Sequence, residues 1–90
     1  MTLHKIEFVK SAKREFDKLS FAVQDRIIEA LHFLSQNPFS ELLKIKKLKG
    51  ADQLYRLRVG DYRVVYEVRT ETLLIVVIKI GHRKDVYRHL

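Results

Sequence analysis

The sequence predicts an α+β fold, built from an N-terminal strand, an antiparallel helical hairpin and then an antiparallel β-meander. Apolar residues recur at helical spacing between Ser11 and Leu34. After position 53, three runs rich in β-branched and aromatic residues are separated by turn signals. The 90 residues, 47% of them apolar and 32% charged, fit one domain over residues 1–90 and exclude disordered or collagen-like chains.

The first part of the chain is predicted to form one strand and two helices. Residues 3–8 alternate weakly between apolar and polar, as a short strand does. An apolar stripe at spacings of four and three begins at Ala12 and marks the first helix. The second helix begins after Ser20, a typical N-cap, and ends before Asn37-Pro38, because the residue before proline avoids the helical conformation. Since about two residues join the helices, they should pack as an antiparallel hairpin.

The predicted strands of the meander lie over residues 54–59, 62–68 and 73–80. Gly60-Asp61 is a two-residue link with glycine first, as a type II′ hairpin requires. The third run is apolar on both faces, which predicts a central or well-covered strand. Residues 39–53 are compatible with a turn of helix or with a loop that leads into a strand.

Several classes of site and location are excluded or not expected. The chain has no cysteine, so it has no disulfide, thiolate metal site or cysteine nucleophile. Its histidines show no ligand spacing, so neither a metal nor another cofactor is predicted. The longest apolar run, residues 73–78, is far shorter than the ~20 residues of a membrane span, and charges interrupt the N-terminus where a signal peptide would be apolar. The sequence therefore predicts a cytoplasmic protein that does not enter a membrane.

Positive charge is concentrated in the second half of the chain. The formal charge is +7, and the residues after Leu43 carry twelve basic side chains against five acidic ones. All five Phe precede position 40, whereas all four Tyr follow position 54. A cationic surface that carries tyrosine suits a polyanion such as nucleic acid or an acidic protein segment. A solvated basic surface that only maintains solubility is the alternative.

The two-residue hairpin places arginines against each other. Strict antiparallel pairing puts Arg58 directly opposite Arg63, with Arg56 on the same face. Like charges across strands destabilise a sheet by a few tenths to ~1 kcal/mol, and arginine cannot lose its proton. An anionic ligand would explain this conflict, since arginine binds phosphate through two parallel hydrogen bonds. A slipped register, a bulge, or bridging by Glu67 or Asp61 would explain it without a ligand.

A basic segment follows the third strand of the meander, over residues 81–88. It could fold back so that Arg83 and Tyr87 join the arginines of the hairpin. Packing of the Tyr87 ring on the sheet edge is an equal alternative. Neighbouring residues of an extended segment point in opposite directions, so His82 is interpreted as a structural or surface residue.

The sequence resembles the RelE/ParE superfamily of toxins from bacterial toxin–antitoxin pairs. The match is carried by residues 48–50 (Leu-Lys-Gly), residues 55–66 (Tyr-Arg-Leu-Arg-Val-Gly-Asp-Tyr-Arg-Val-Val-Tyr), and residues 81–83 (Gly-His-Arg) with Tyr87. This resemblance implies the same fold as the one read from periodicity. RelE-type members enter the ribosomal A site and cut mRNA without metal, whereas ParE-type members inhibit DNA gyrase. The RelE type is favoured by the arginines present at positions 56, 58 and 63 and by the spacing from Arg83 to Tyr87.

The resemblance also implies roles for individual residues. The positions that match the RelE catalytic set are Arg56, Arg58, Arg63, Arg83 and Tyr87. The best-known RelE pattern has lysine at the first two, and arginine is a poor general base in its place. Our hypothesis is that Arg58 and Arg63 hold the scissile phosphate and Arg56 positions the RNA backbone. Tyr87 would accept the 2′-hydroxyl proton or stack on a base, and Arg83 would stabilise the leaving oxygen.

The sequence also predicts further RNA contacts and several binding partners. Lys47, Lys49 and Lys84 are interpreted as RNA contacts that add affinity rather than chemistry. The expected partners are mRNA and ribosomal RNA on the ribosome, and an acidic RelB-like antitoxin that wraps the toxin. Alternative functions are a ParE-like gyrase inhibitor and a catalytically impaired module that binds nucleic acid or antitoxin.

Overall fold

The structure is a computed structural model that describes residues 4–37, 45–47 and 53–82. It consists of a five-stranded sheet with two helices on one side. The elements in chain order are β1 (Lys5–Phe8), α1 (Lys10–Asp17), α2 (Phe21–Gln36), β2 (Ile45–Lys47), β3 (Leu54–Val59), β4 (Tyr62–Arg69) and β5 (Leu74–His82). The strand order across the sheet is β1-β5-β4-β3-β2. The predicted α+β architecture is confirmed.

The helix boundaries follow the sequence signals. The Ser20 hydroxyl accepts a hydrogen bond from the Val23 N–H at 3.4 Å and caps α2, while Asn37 is its C-cap. No helix within the described ranges is long and apolar enough to cross a membrane.

The sheet differs from a simple meander at both edges. β1 pairs with β5 in parallel, beginning with Lys5 opposite Leu74, so the first strand lies beside the last one described. Residues 45–47 form the short strand β2, which is antiparallel to β3. It lies in the region 39–53, for which the sequence is compatible with a helical turn or with a loop that leads into a strand. The β3, β4 and β5 pairs are antiparallel, and β5 is a central strand, as its apolar character on both faces predicts.

A β-bulge in β5 controls which side chains face the helices. Val65 pairs with Lys79 but Tyr66 pairs with Val77, so Ile78 is an extra residue in the ladder. Val77 and Ile80 are consequently both buried in the core, although they are three positions apart. Strict alternation from Val77 would have turned Lys79 toward the helices; the bulge turns it to the opposite face.

The core lies between the two helices and one face of the sheet. Ile27, Leu31 and Leu34 of α2 are buried against Leu57 and Val64 of the β3–β4 hairpin, among others. Burial of each such side chain stabilises the fold by about 1.5–3 kcal/mol, so this layer fixes the hairpin under the helix.

Helix α1 contacts β5 at the part of its edge that lies beyond the end of β1. The Glu15 carboxylate accepts a hydrogen bond from the Ile80 N–H at 3.0 Å and another from Lys79 Nζ at 2.5 Å. Glu15 therefore satisfies a backbone donor of β5 beyond β1 and neutralises the Lys79 charge.

Candidate functional site

The β3–β4 hairpin has the predicted geometry. Gly60 has φ +60°, whereas Asp61 does not have a positive φ, which fits a type II′ turn. Arg58 lies directly opposite Arg63, and Arg56 lies opposite Val65. Arg56, Arg58 and Arg63 therefore share one face of the sheet, which we call the arginine face. The predicted register is confirmed, and the bulge lies in the β4–β5 pair rather than between these arginines.

The two paired arginines differ in exposure. Arg63 is 8% exposed, whereas Arg58 is exposed. Arg63 Nη1 donates to the Tyr62 carbonyl and Arg58 Nε donates to the Gly60 carbonyl, each at 3.3 Å. Arg63 Nε is buried without a hydrogen-bond partner. Backbone carbonyls satisfy some of these donors, but they do not cancel the positive charges.

The carboxylates of the described residues do not neutralise this pair. Glu67 pairs with Arg69, so it does not bridge the arginines as the ligand-free alternative required. In the described part of the chain, no carboxylate forms a salt bridge with Arg58 or Arg63. Within the part of the chain that the structure describes, a nearly buried guanidinium opposite a second one is therefore left without a compensating charge, which is unfavourable.

The tyrosines of the hairpin lie on the opposite face from the arginines. Tyr55 and Tyr66 are stacked with ring centroids 5.8 Å apart, and Tyr62 meets the His82 ring edge-on at 5.9 Å. Tyr66 is fully buried and its hydroxyl has no hydrogen-bond partner. Burial, with a smaller contribution from Tyr55, raises the pKa of the Tyr66 hydroxyl well above its ordinary value. Tyr66 lies in the core and Tyr55 packs against it, so the tyrosines of the hairpin do not contribute to the arginine face.

The structure brings together only some of the predicted site residues. Lys47 is exposed and lies opposite Tyr55, so alternation places it on the face away from the arginine face. Lys49, Arg83, Lys84 and Tyr87 lie outside the described residues. Their roles, like that of Lys47, stay predictions.

Two basic residues that the sequence analysis did not single out lie close to the arginines. Lys79 is opposite Val65 and so shares the arginine face, but Glu15 pairs with it. The Arg26 guanidinium of α2 lies against Gly60 at the hairpin tip. Lys79 is the one charged residue in the apolar run 73–80, so the sequence could have indicated it as a candidate. The position of Arg26 depends on how α2 packs on the hairpin, which the sequence does not reveal.

The arrangement suits phosphate recognition. Guanidinium groups present fixed, parallel donors that match phosphate oxygens, and they hold their charge at any physiological pH. They can stabilise negative charge that develops on a reacting phosphate, but they cannot serve as proton acceptors. A proton acceptor has to come from another side chain.

Comparisons with known proteins show similarity over nearly the whole chain. Residues 6–87 match the family described as "ParE toxin of type II toxin-antitoxin system, parDE". Toxin RelE3 of Methanocaldococcus jannaschii is 34% identical over 87 residues, which cover 92% of this chain and 94% of that protein. The mRNA interferase toxin RelE of Escherichia coli is 30% identical over 86 residues, which cover 91% of this chain and 87% of that protein.

The fold is similar to that of solved toxins as well. The archaeal RelE–RelB complex from Pyrococcus horikoshii contains a chain that superposes with a TM-score of 0.80 at 30% identity. The superposition covers 96% of this chain and 100% of that one.

Proposed function

The chain belongs to the RelE/ParE superfamily of toxins from type II toxin–antitoxin systems, and we propose that it inhibits translation as a ribosome-dependent endoribonuclease that cleaves mRNA in the A site. It is a RelE-like toxin by its similarity to RelE proteins in sequence and in fold. Two relatives at 30% identity are named mRNA interferases.

One observation carries the proposal: the pairing of Arg58 with Arg63, without a carboxylate partner among the described residues. A fold selected only for stability would place threonine or glutamate at one of these positions. The Nε of Arg63, buried without a hydrogen-bond partner, makes the burial of this charge still less favourable. An RNA backbone supplies the missing charge.

The reaction that fits this site is internal transesterification of RNA. The ribose 2′-oxygen forms a bond to the adjacent phosphorus as its proton leaves, and the bond from phosphorus to the 5′-oxygen breaks. The 5′-oxygen takes up a proton from water, so the products are a cyclic phosphate and a 5′-hydroxyl end. Arg58 and Arg63 would hold the phosphate and stabilise the charge that grows on its oxygens, with Arg56 positioning the backbone.

The remaining roles come from the resemblance. Tyr87 would accept the 2′-hydroxyl proton, and Arg83 would stabilise the leaving oxygen. In-line positioning of the mRNA by the ribosome would supply much of the rate, so we expect little cleavage of free RNA.

An antitoxin is the proposed partner outside the ribosome. The related Pyrococcus horikoshii toxin was solved as a complex with RelB. We propose that a RelB-like antitoxin with acidic side chains covers the arginine face of this chain, because those side chains would neutralise the same charges as RNA.

Mapping of mRNA ends in a translating extract tests the enzymatic proposal. We expect the purified protein to produce cuts within codons, and Arg58→Ala and Arg63→Gln to abolish them while remaining folded by circular dichroism. Arg69→Ala is the matched control, since Arg69 pairs with Glu67 at the far end of β4. Uncut mRNA with wild-type protein would contradict the proposal.

Gyrase inhibition is the second candidate function, because the family that matches residues 6–87 is described as a ParE toxin. A supercoiling assay on the same protein separates the two functions. Inhibited supercoiling with intact mRNA would assign this chain to the ParE type.

A further inference from the structure

The tip of the β3–β4 hairpin is in contact with a guanidinium from α2. Arg26 immediately precedes the buried Ile27 and is itself exposed. A methyl group on Gly60 would stand 3.3 Å from Arg26 Nη2 and 3.6 Å from both Cζ and Nη1. The Arg26 guanidinium therefore packs against the one residue of the turn that has no side chain.

The same glycine is contacted by an arginine of the arginine face. Arg58 Nε donates to the Gly60 carbonyl at 3.3 Å. Two guanidinium groups, one from α2 and one from β3, thus meet at Gly60, and Arg63 lies directly across from Arg58. Three positive charges from three elements are gathered around one turn.

Within the described ranges, no carboxylate forms a salt bridge with Arg26. An exposed arginine loses side-chain entropy when it is held in one place, and here it is held near a charge of the same sign. Among the residues that the structure describes, no ion pair offsets either effect. An anion that bridges the hairpin tip would offset both.

We propose that Arg26 is a positioning residue that binds a backbone phosphate of the RNA next to the phosphate held by the arginine face. The phosphate-binding surface then continues around the hairpin tip onto α2. This inference rests on the proposed RNA substrate, and it adds a residue outside the set that the resemblance implies.

Salt-dependent binding tests the role of Arg26. The probe is a single-stranded RNA oligomer with 2′-O-methyl groups, which the toxin cannot cleave, and the readout is the dissociation constant by fluorescence anisotropy at several KCl concentrations. Each phosphate contact to a single strand contributes about 0.7 to the slope of log K against log salt. We expect Arg26→Gln to lower the slope by about 0.7 and Arg26→Lys to restore it.

Arg14→Gln is the matched control, because Arg14 is an exposed arginine near the end of α1 and its loss changes the net charge equally. A slope for Arg26→Gln equal to that of Arg14→Gln would overturn the inference. Weakened binding of polyglutamate, with RNA binding unchanged, would also overturn it and would assign Arg26 to an acidic protein partner. A change in thermal stability alone does not alter the slope, so a purely structural role is distinguished.

The two proposals fail separately. Wild-type protein that cuts no mRNA in the extract overturns the nuclease proposal, while a lower RNA-binding slope for Arg26→Gln still supports the inference. Conversely, loss of cleavage in Arg63→Gln with an unchanged slope in Arg26→Gln overturns only the inference.

Discussion

Arg58 and Arg63 face each other across the β3–β4 ladder, one exposed and the other nearly buried. Neither can relieve the repulsion by losing a proton, and the turn at Gly60 fixes their register. The hairpin is therefore less stable as an isolated element than its apolar face would allow.

Arg58→Thr should raise the free energy of unfolding by a few tenths to ~1 kcal/mol, because it removes the cross-strand repulsion. Urea denaturation measures this change. Added salt should stabilise the wild-type protein more than the variant, since salt screens the repulsion. A clear loss of stability in Arg58→Thr would show that Arg58 makes a favourable contact that outweighs the repulsion.

Two substitutions of Glu15 should destabilise the fold to different extents. Glu15→Gln loses the ion pair with Lys79 and should cost about 1 kcal/mol, while Glu15→Ala also leaves the Ile80 N–H without its acceptor and should cost about 1–3 kcal/mol. Glu15→Gln should in addition strengthen RNA binding, because it frees the Lys79 charge on the arginine face. The control is Asp17→Asn, which breaks the exposed Lys13–Asp17 pair and should cost below about 0.5 kcal/mol.

Tyr66→Phe should stabilise the protein at alkaline pH. The folded pKa of the Tyr66 hydroxyl is raised, so above pH ~10 the unfolded chain loses this proton first and the wild-type protein loses up to ~1.4 kcal/mol of stability per pH unit. The variant lacks this dependence, and at neutral pH it should be at least as stable, because the hydroxyl has no partner. Denaturation midpoints from neutral pH to pH ~11 measure the difference, with Tyr62→Phe as the half-exposed comparison. Identical pH profiles for Tyr66→Phe and the wild type would contradict the burial of this hydroxyl.

Gly60→Ala should destabilise the protein by about 1–2 kcal/mol, because alanine is strained at a positive φ. The contact with the flexible end of Arg26 adds little to this. Asp61→Ala changes the other loop residue at an ordinary φ and should stay within about 0.5 kcal/mol of wild type. Equal denaturation midpoints for the two variants would mean that the hairpin does not need this turn.

Tyr87→Phe should slow mRNA cleavage in the extract by about 10²–10⁴-fold, because the variant keeps the ring and loses the group that accepts the proton. Binding of the uncleavable RNA oligomer should remain close to wild type. Cleavage at the wild-type rate would assign Tyr87 to stacking and leave the proton acceptor to another residue.

The hairpin could be predicted from the sequence because its determinants are local. The two-residue loop fixes the register, and alternation then fixes which of Arg56, Arg58 and Arg63 share a face. The proposed chemistry of the arginine face depends only on this local information, with the family resemblance added.

Other features could not be predicted because they depend on contacts between distant residues. The bulge at Ile78 has no glycine to mark it, and the side on which Lys79 emerges depends on that bulge. Glu15 and Lys79 meet only because α1 packs on β5. Strand β2 spans three residues, too few for alternation to distinguish it from a loop.

The parallel pairing of β1 with β5 has a consequence for how this chain matures during its own synthesis. Strand β1 cannot pair until β5 has been synthesised, since Lys5 pairs with Leu74. Closing so long a loop of chain is slow, so this part of the sheet forms late relative to the local β3–β4 hairpin. A nascent chain that lacks β5 therefore has no complete sheet to support the hairpin, and the arginine face is held in place only after β5 has been synthesised.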